Sequence, residues 1–287
     1  MNIGIIGIGA VGSFVISQIL TQHNLTYFNR SDKSSVKFKT FYKNLELPIS
    51  LSKSNQNKIA FDWLIICVKE NQTIEIVKTV GELINPNTKL AVIRNGMKLK
   101  GPFLELVPEE QILPCSIDCS IQPDENNVYN QKSDAYMITP FCELSNEFQS
   151  LFSKHVISFE STDDFHTKSW KKLIESSAIG GIMAITQRYC EVFEESYYLS
   201  LFKQLILEGI EVGKADNAKL PFYFYNELEQ KLLAYPKDKG SSMLTDVLAG
   251  RQVELGAKNG YISKMGKQYG IDTVEHDKIT RILSIGN

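Results

Sequence analysis

An apolar run at residues 2–6 leads straight into Gly7-Ile8-Gly9-Ala10-Val11-Gly12, and Val11 to Leu20 then follows with helical spacing. A short run of this kind fits a strand buried on both faces. The glycine pattern G-x-G-x-x-G between a strand and a helix has a mechanical reading. Gly7 permits the tight turn, Gly9 lets the backbone approach a pyrophosphate, and Gly12 lets helix and strand lie close together. Ile8, Ala10 and Val11 complete the loop. The helix N-terminus then offers unpaired N–H groups and a positive dipole end to phosphates. A glycine-rich turn without a ligand is the plain alternative, and the strand–turn–helix context argues against it. The motif points to a dinucleotide, not to a reaction.

The next hundred residues keep the same rhythm. Leu25 to Phe28, Asp62 to Val68, Lys89 to Ile93 and Gln111 to Ile117 read as strands, and Thr73 to Leu83 as a helix. Such alternation implies a parallel sheet with helices on both faces, an α/β Rossmann-type domain. Residues 50–60 are polar and read as a loop, and 123–134 as a hairpin or surface loop. The second strand ends in Phe28-Asn29-Arg30-Ser31. An NAD site usually places Asp or Glu there for the ribose 2′-hydroxyl, whereas Arg30 can pair with a 2′-phosphate. Asn29 and Ser31 add hydrogen-bonding groups. NADP is therefore expected. Asp32 is the counter-indication, and a solvated surface charge is the plain reading of Arg30.

After residue 162 the pattern turns helical. Asp164–Thr186, Glu194–Ala215, Phe222–Ala234, Ser242–Leu248 and Val253–Tyr269 carry apolar residues at helical spacing. Two domains are expected, 1–162 binding the dinucleotide and 163–287 all-α, in line with a length of 287 residues.

Composition removes several classes. A net charge of −2 and a pI of about 6.1 speak against nucleic-acid binding. No apolar run reaches the roughly 18 residues of a membrane span. The N-terminus has no basic region and reads as a strand, not a signal peptide. Five scattered cysteines fit a reduced, cytoplasmic chain, and four isolated histidines give no metal site.

Five ordered motifs resemble those of the ketopantoate reductases (2-dehydropantoate 2-reductases). They are the glycine motif; Val68-Lys69 with Gln72; Arg94-Asn95-Gly96-Met97; Trp170-Lys171-Lys172-Leu173; and Ser241-Ser242-Met243-Leu244-Thr245-Asp246 continuing to Gly250-Arg251-Gln252-Val253-Glu254. The resemblance covers nearly the whole chain. It implies NADPH-dependent reduction of a 2-oxo acid, 2-dehydropantoate to pantoate, on the route to pantothenate. By motif position, Lys69, Gln72 and Asn95 line the cofactor. Lys172 is the general acid, and Asn95 contacts substrate and cofactor. Ser242 and Ser176 meet the substrate, and Glu254 is the acidic partner. The active site is expected between the two domains.

The residues carry these roles on physical grounds as well. Hydride delivery to a ketone builds negative charge on oxygen, which an ammonium stabilises and then protonates. Lys168, Lys172 and Glu175 share one side of a helix, so a solvated face is the plain alternative. Ser242 stands where a helix begins and reads as its cap or as a carboxylate site. Ser242 and Glu254 would lie about 18 Å apart on one unbroken helix, so the chain must bend, and Ala249-Gly250 is the natural stop.

The chain also departs from the pattern it resembles. The family's W-x-K-L segment continues to asparagines where Ser176 and Gly180 stand here. Gly180-Gly181 within a helix costs about 1 kcal/mol per residue relative to alanine, so a close approach of the backbone to a ligand or to another helix is expected there. A larger or differently substituted 2-oxo acid would fit where the asparagines are missing. Two alternatives stay open: a dinucleotide-binding or sensing protein with little turnover, and a reductase of the same fold acting on another acid. A homodimer is compatible with an apolar surface on the helical part.

Overall fold

The computed structural model describes residues 1–28, 35–41, 44–48, 59–126, 128–153 and 157–285. Contacts divide the chain into two units, Met1–Phe165 and His166–Asn287.

In the first unit, β1 (Asn2–Ile6), α1 (Ala10–Gln18) and β2 (Asn24–Phe28) form the opening β-α-β turn. Then come β3 (Ser35–Lys39), β4 (Asn44–Pro48), β5 (Trp63–Ile66), α2 (Thr73–Leu83), β6 (Lys89–Ile93) and β7 (Ile112–Asp118). The unit closes with β8 (Ile121–Pro123), β9 (Tyr129–Gln131), β10 (Ala135–Pro140), α3 (Glu143–Gln149) and β11 (Ile157–Thr162). The main sheet has seven strands in the order β11-β10-β7-β6-β5-β1-β2. From β7 to β2 every pairing is parallel, and β10 joins β7 antiparallel with β11 parallel to β10.

The central strands β1, β5 and β6 are mostly apolar because both sheet faces are covered there, and their side chains divide alternately. Ile3, Ile5, Trp63 and Ile65 enter one core with Phe14 of α1 and Phe148 of α3. Ile6, Leu64, Ile66 and Val92 enter the other with Val80 and Leu83 of α2.

A second sheet, ordered β4-β3-β9-β8, was not expected from the sequence. Its β8–β9 hairpin falls in the segment read as a hairpin or loop. Val36 and Phe38 of β3 extend the core on the α1 face.

In the second unit α4 (Phe165–Thr186) is followed by α5 (Ser196–Ala215), α6 (Phe224–Leu233), α7 (Ser242–Leu248), α8 (Asn259–Tyr269) and α9 (Val274–Ile285). No strand lies among its described residues. α5 approaches α4 through glycines: a Cβ on Gly209 would stand 2.9 Å from Ile174, and one on Gly213 3.2 Å from Trp170. Trp170 is fully buried, and its indole N–H donates to Asp216 Oδ2 at 2.8 Å. Two expectations need correction here. The stretch from Val253 is not one helix: a single 3-10 turn, Leu255–Ala257, comes first, and Lys258, with φ −136° and ψ −127°, separates it from α8. A further helix, α9, closes the chain.

Candidate active site

The glycine motif stands where β1 ends. Gly7 has φ +91°, and its N–H donates to the Phe28 carbonyl at 3.0 Å, tying the turn to β2. A Cβ on Gly12 would lie 2.0 Å from the Gly7 carbonyl oxygen, so α1 starts this close to β1 only because residue 12 has no side chain. Gly9 differs: among the described residues nothing comes within 4 Å of where its Cβ would be. Two glycines are thus used up by the fold, while the third leaves a cradle at the mouth of a helix. That is the arrangement a pyrophosphate requires. Ala10 and Val11 begin α1, and Ile8 is buried.

The next two motifs also occupy carboxyl ends of parallel strands. Val68 and Lys69 follow β5, where Val68 is buried and would touch a side chain on Gly7. The Lys69 carbonyl accepts from the Gln72 N–H at 3.0 Å and the Thr73 hydroxyl at 3.2 Å, forming a 3-10 turn that leads into α2. Arg94 and Asn95 follow β6; Arg94 Nη1 donates to the Asn95 carbonyl at 3.1 Å, and Gly96 adopts φ +96°. β1 lies between β2 and β5, so the chain order reverses at the glycine turn. Ligands in open α/β sheets bind at such a switch point. Asn29, Arg30, Ser31 and Asp32 lie outside the described residues, as does most of the loop at 50–60.

Of the residues expected at the substrate, Lys172, Ser176, Ser242 and Glu254 belong to the helical unit. Lys172, Ser176 and Gly180 follow one another at single-turn spacing along α4. Glu175 is engaged by α6 and the segment after it, accepting from Lys231 Nζ at 2.7 Å and Tyr235 OH at 2.9 Å.

Ser242 is not the cap of α7. The cap is Ser241, whose hydroxyl accepts from the Leu244 N–H at 3.1 Å, and Ser242 is the first helical residue, exposed. Two adjacent serines gave the sequence no means of choosing between them. α7 ends at Leu248, and Gly250 turns the chain with φ +62°. Arg251 folds back, its Nε donating to the buried Asp246 at 2.9 Å. This return supplies the bend that Ser242 and Glu254 required. Glu254 lies half-buried just before the 3-10 turn, and its carbonyl accepts from the Ala257 N–H at 3.1 Å.

Of the two close approaches expected at Gly180-Gly181, that of another helix is the one found. A Cβ on Gly180 would meet Met243 Sδ at 2.9 Å, and one on Gly181 would meet Asn259 and Ile279 at 3.1 Å. The glycine pair therefore serves helix packing. At Ser176 the hydroxyl accepts from Lys258 Nζ at 2.7 Å. Lys258 is 4% exposed, and sequence reasoning passed over it. Its one signal was a lysine beside Ala257 and Asn259 in a stretch that must otherwise be buried.

Comparison with known proteins finds relatives along nearly the whole chain. The family described as "Ketopantoate reductase PanE/ApbA" matches residues 3–141, and its C-terminal counterpart, "Ketopantoate reductase PanE/ApbA C terminal", matches 164–286. A 2-dehydropantoate 2-reductase of Caulobacter vibrioides is 25% identical over 99% of this chain and 98% of its own length. A dimeric ketopantoate reductase from Staphylococcus aureus superposes with a TM-score of 0.87 at 22% identity, covering 100% of this chain and 98% of that one. D-mandelate dehydrogenase, in a ternary structure with NADH and anilino(oxo)acetate, has a TM-score of 0.87 at 19% identity with the same coverage.

Proposed function

The chain belongs to the ketopantoate reductase family and is an oxidoreductase of that kind, and from this premise we propose that it reduces a 2-oxo acid to the 2-hydroxy acid with NADPH. The observation that carries this reading is the alignment of three motifs, Gly7–Gly12, Val68–Lys69 and Arg94–Asn95, at the carboxyl ends of adjacent parallel strands β1, β5 and β6. With the open cradle at Gly9, this fits a nicotinamide dinucleotide. Gly7, Ile8, Gly9, Ala10, Val11 and Gly12 would hold its pyrophosphate, and Lys69, Gln72 and Asn95 would flank it. Asn29 and Arg30 would read the 2′-phosphate. NADPH, when bound, supplies the hydride.

The remaining chemistry belongs to side chains. Lys172 presents an ammonium to the oxygen on which negative charge develops, and passes it a proton. Ser242, in the first turn of α7, holds the substrate carboxylate at the start of that helix. Ser176 and Asn95 orient the remaining substrate oxygens, and Glu254 is the acidic partner. 2-Dehydropantoate is the first substrate to test. The filled space at Gly180 and the ammonium at Ser176 favour a second reading, a different 2-oxo acid for the same chemistry.

NADPH oxidation followed optically with 2-dehydropantoate and a panel of 2-oxo acids tests the proposal. Lys172→Ala is expected to remove turnover by about 100-fold or more and to leave NADPH binding intact. Unchanged turnover would exclude Lys172 as the acid. Tight NADPH binding with no turnover of any acid by the unaltered chain would instead establish a binding or sensing protein.

A further inference from the structure

Lys258 is the feature of the helical unit that the reductase reading leaves unused, and its role is inferred on the basis of that reading. Its side chain is 4% exposed, and its Nζ donates to Ser176 Oγ at 2.7 Å. Ser176 lies one turn beyond Lys172 on α4. Lysines are rarely buried this far, and burying an ammonium is costly even when it is well partnered. An apolar side chain would join α4 to the start of α8 without that cost. The contact therefore calls for a use other than packing.

Its polarity supplies one. An ammonium only donates, so Ser176 Oγ spends a lone pair on Lys258 and its own proton must point elsewhere. Within the protein that proton has the Leu173 carbonyl at 3.3 Å, well beyond the usual 2.7–2.8 Å of a hydroxyl bond. Lys258 thus presents Ser176 as a donor, one turn from the proposed acid. Met243 closes the neighbouring space over Gly180, so selection at this point works by polarity and not by size.

We propose that Lys258 is a specificity-determining, positioning residue. Acting through Ser176, it selects 2-oxo acids whose side chain carries an oxygen acceptor, a second carboxylate foremost, over apolar 2-oxo acids of similar size.

The test compares 2-dehydropantoate, 2-oxoglutarate and 2-oxoisovalerate as substrates, with NADPH, for the unaltered chain, Lys258→Met, Ser176→Ala and the double variant. The unaltered chain is expected to favour the two oxygen-bearing acids over 2-oxoisovalerate by about 10-fold or more in kcat/KM. Each single variant should lose about 10-fold on those acids, mainly through KM, and less than about threefold on 2-oxoisovalerate. The double variant should lose no more than either single one, because both remove the same contact. Ser176→Ala leaves Lys258 in place and reads the contact even if Lys258→Met fails to fold. Equal losses on all three acids, additive losses, or an unaltered chain that prefers 2-oxoisovalerate would overturn the proposal while leaving the reductase reading intact. No turnover of any acid would overturn that reading and this inference together.

Discussion

Acid stability offers a quantitative check on the helical unit. His276 of α9 has no solvent exposure. Its Nε2 lies 3.0 Å from the Leu205 carbonyl of α5, and its Nδ1 lies 3.0 Å from Asn259 Nδ2 of α8. A carbonyl only accepts and an amide nitrogen only donates, so both contacts are met by a neutral ring protonated on Nε2. Burial pushes its pKa down to about 4, from an ordinary 6.5. Between those values the unfolded chain holds the proton and the folded chain does not, so stability falls as pH falls. The full effect is the 2.5-unit difference, about 3 kcal/mol at low pH, of which about 2 kcal/mol is already lost at pH 5.

Glu208 works against this. Its carboxylate accepts the amide N–H groups of Glu275 at 2.9 Å and His276 at 3.1 Å. Burial nevertheless raises its pKa, so the folded chain takes up this proton first and gains stability as pH falls. In the unaltered chain the two effects oppose each other. Glu208→Gln should expose the whole histidine effect, and His276→Gln should remove it. Urea unfolding at pH 7 and pH 5, read from Trp170 fluorescence in a Trp63→Phe background, measures both. The reasoning fails if His276→Gln and Glu208→Gln show the same pH dependence, or if the His276 ring titrates near 6.5 in the folded chain by NMR.

Two further outcomes are expected from the turns. Gly12→Ala places a carbon 2.0 Å from the Gly7 carbonyl oxygen, which the backbone cannot relieve without moving α1 off β1; NADPH affinity measured by fluorescence should be lost and the thermal midpoint lowered. Ser241→Ala removes the cap of α7 and should cost about 1 kcal/mol by denaturant unfolding, whereas Ser242→Ala should cost much less.

The sequence made β1, β5, β6, α2 and α7 readable for one reason: each is a run whose apolar pattern needs no knowledge of its neighbours. β3 was not readable, because Ser35–Lys39 buries only Val36 and Phe38 and turns its lysines outward. So short an alternation acquires a meaning only once α1 supplies the surface beneath it. α9 was hidden by chemistry: its seam is His276, Ile279 and Leu283, and a histidine counts as polar until Leu205 and Asn259 satisfy both ring nitrogens.

The same distinction separates the two halves of the candidate site. The dinucleotide side was legible because it is built from backbone, and glycine at residues 7, 9 and 12 is the only way a chain can announce a turn, a cradle and a close approach in so few positions. The substrate side is built from side chains that meet across long sequence separations. From the sequence, Gly180 signalled missing bulk and Ser176 a shortened reach, which left a larger acid, a differently substituted acid and a close helix contact all open. Met243, 63 residues beyond Gly180, and Lys258, 82 residues beyond Ser176, stand against those two positions. A substitution that removes a side chain enlarges a site only if nothing distant moves in. Here two residues do, and the proposed preference for polar acids of similar size rests on them.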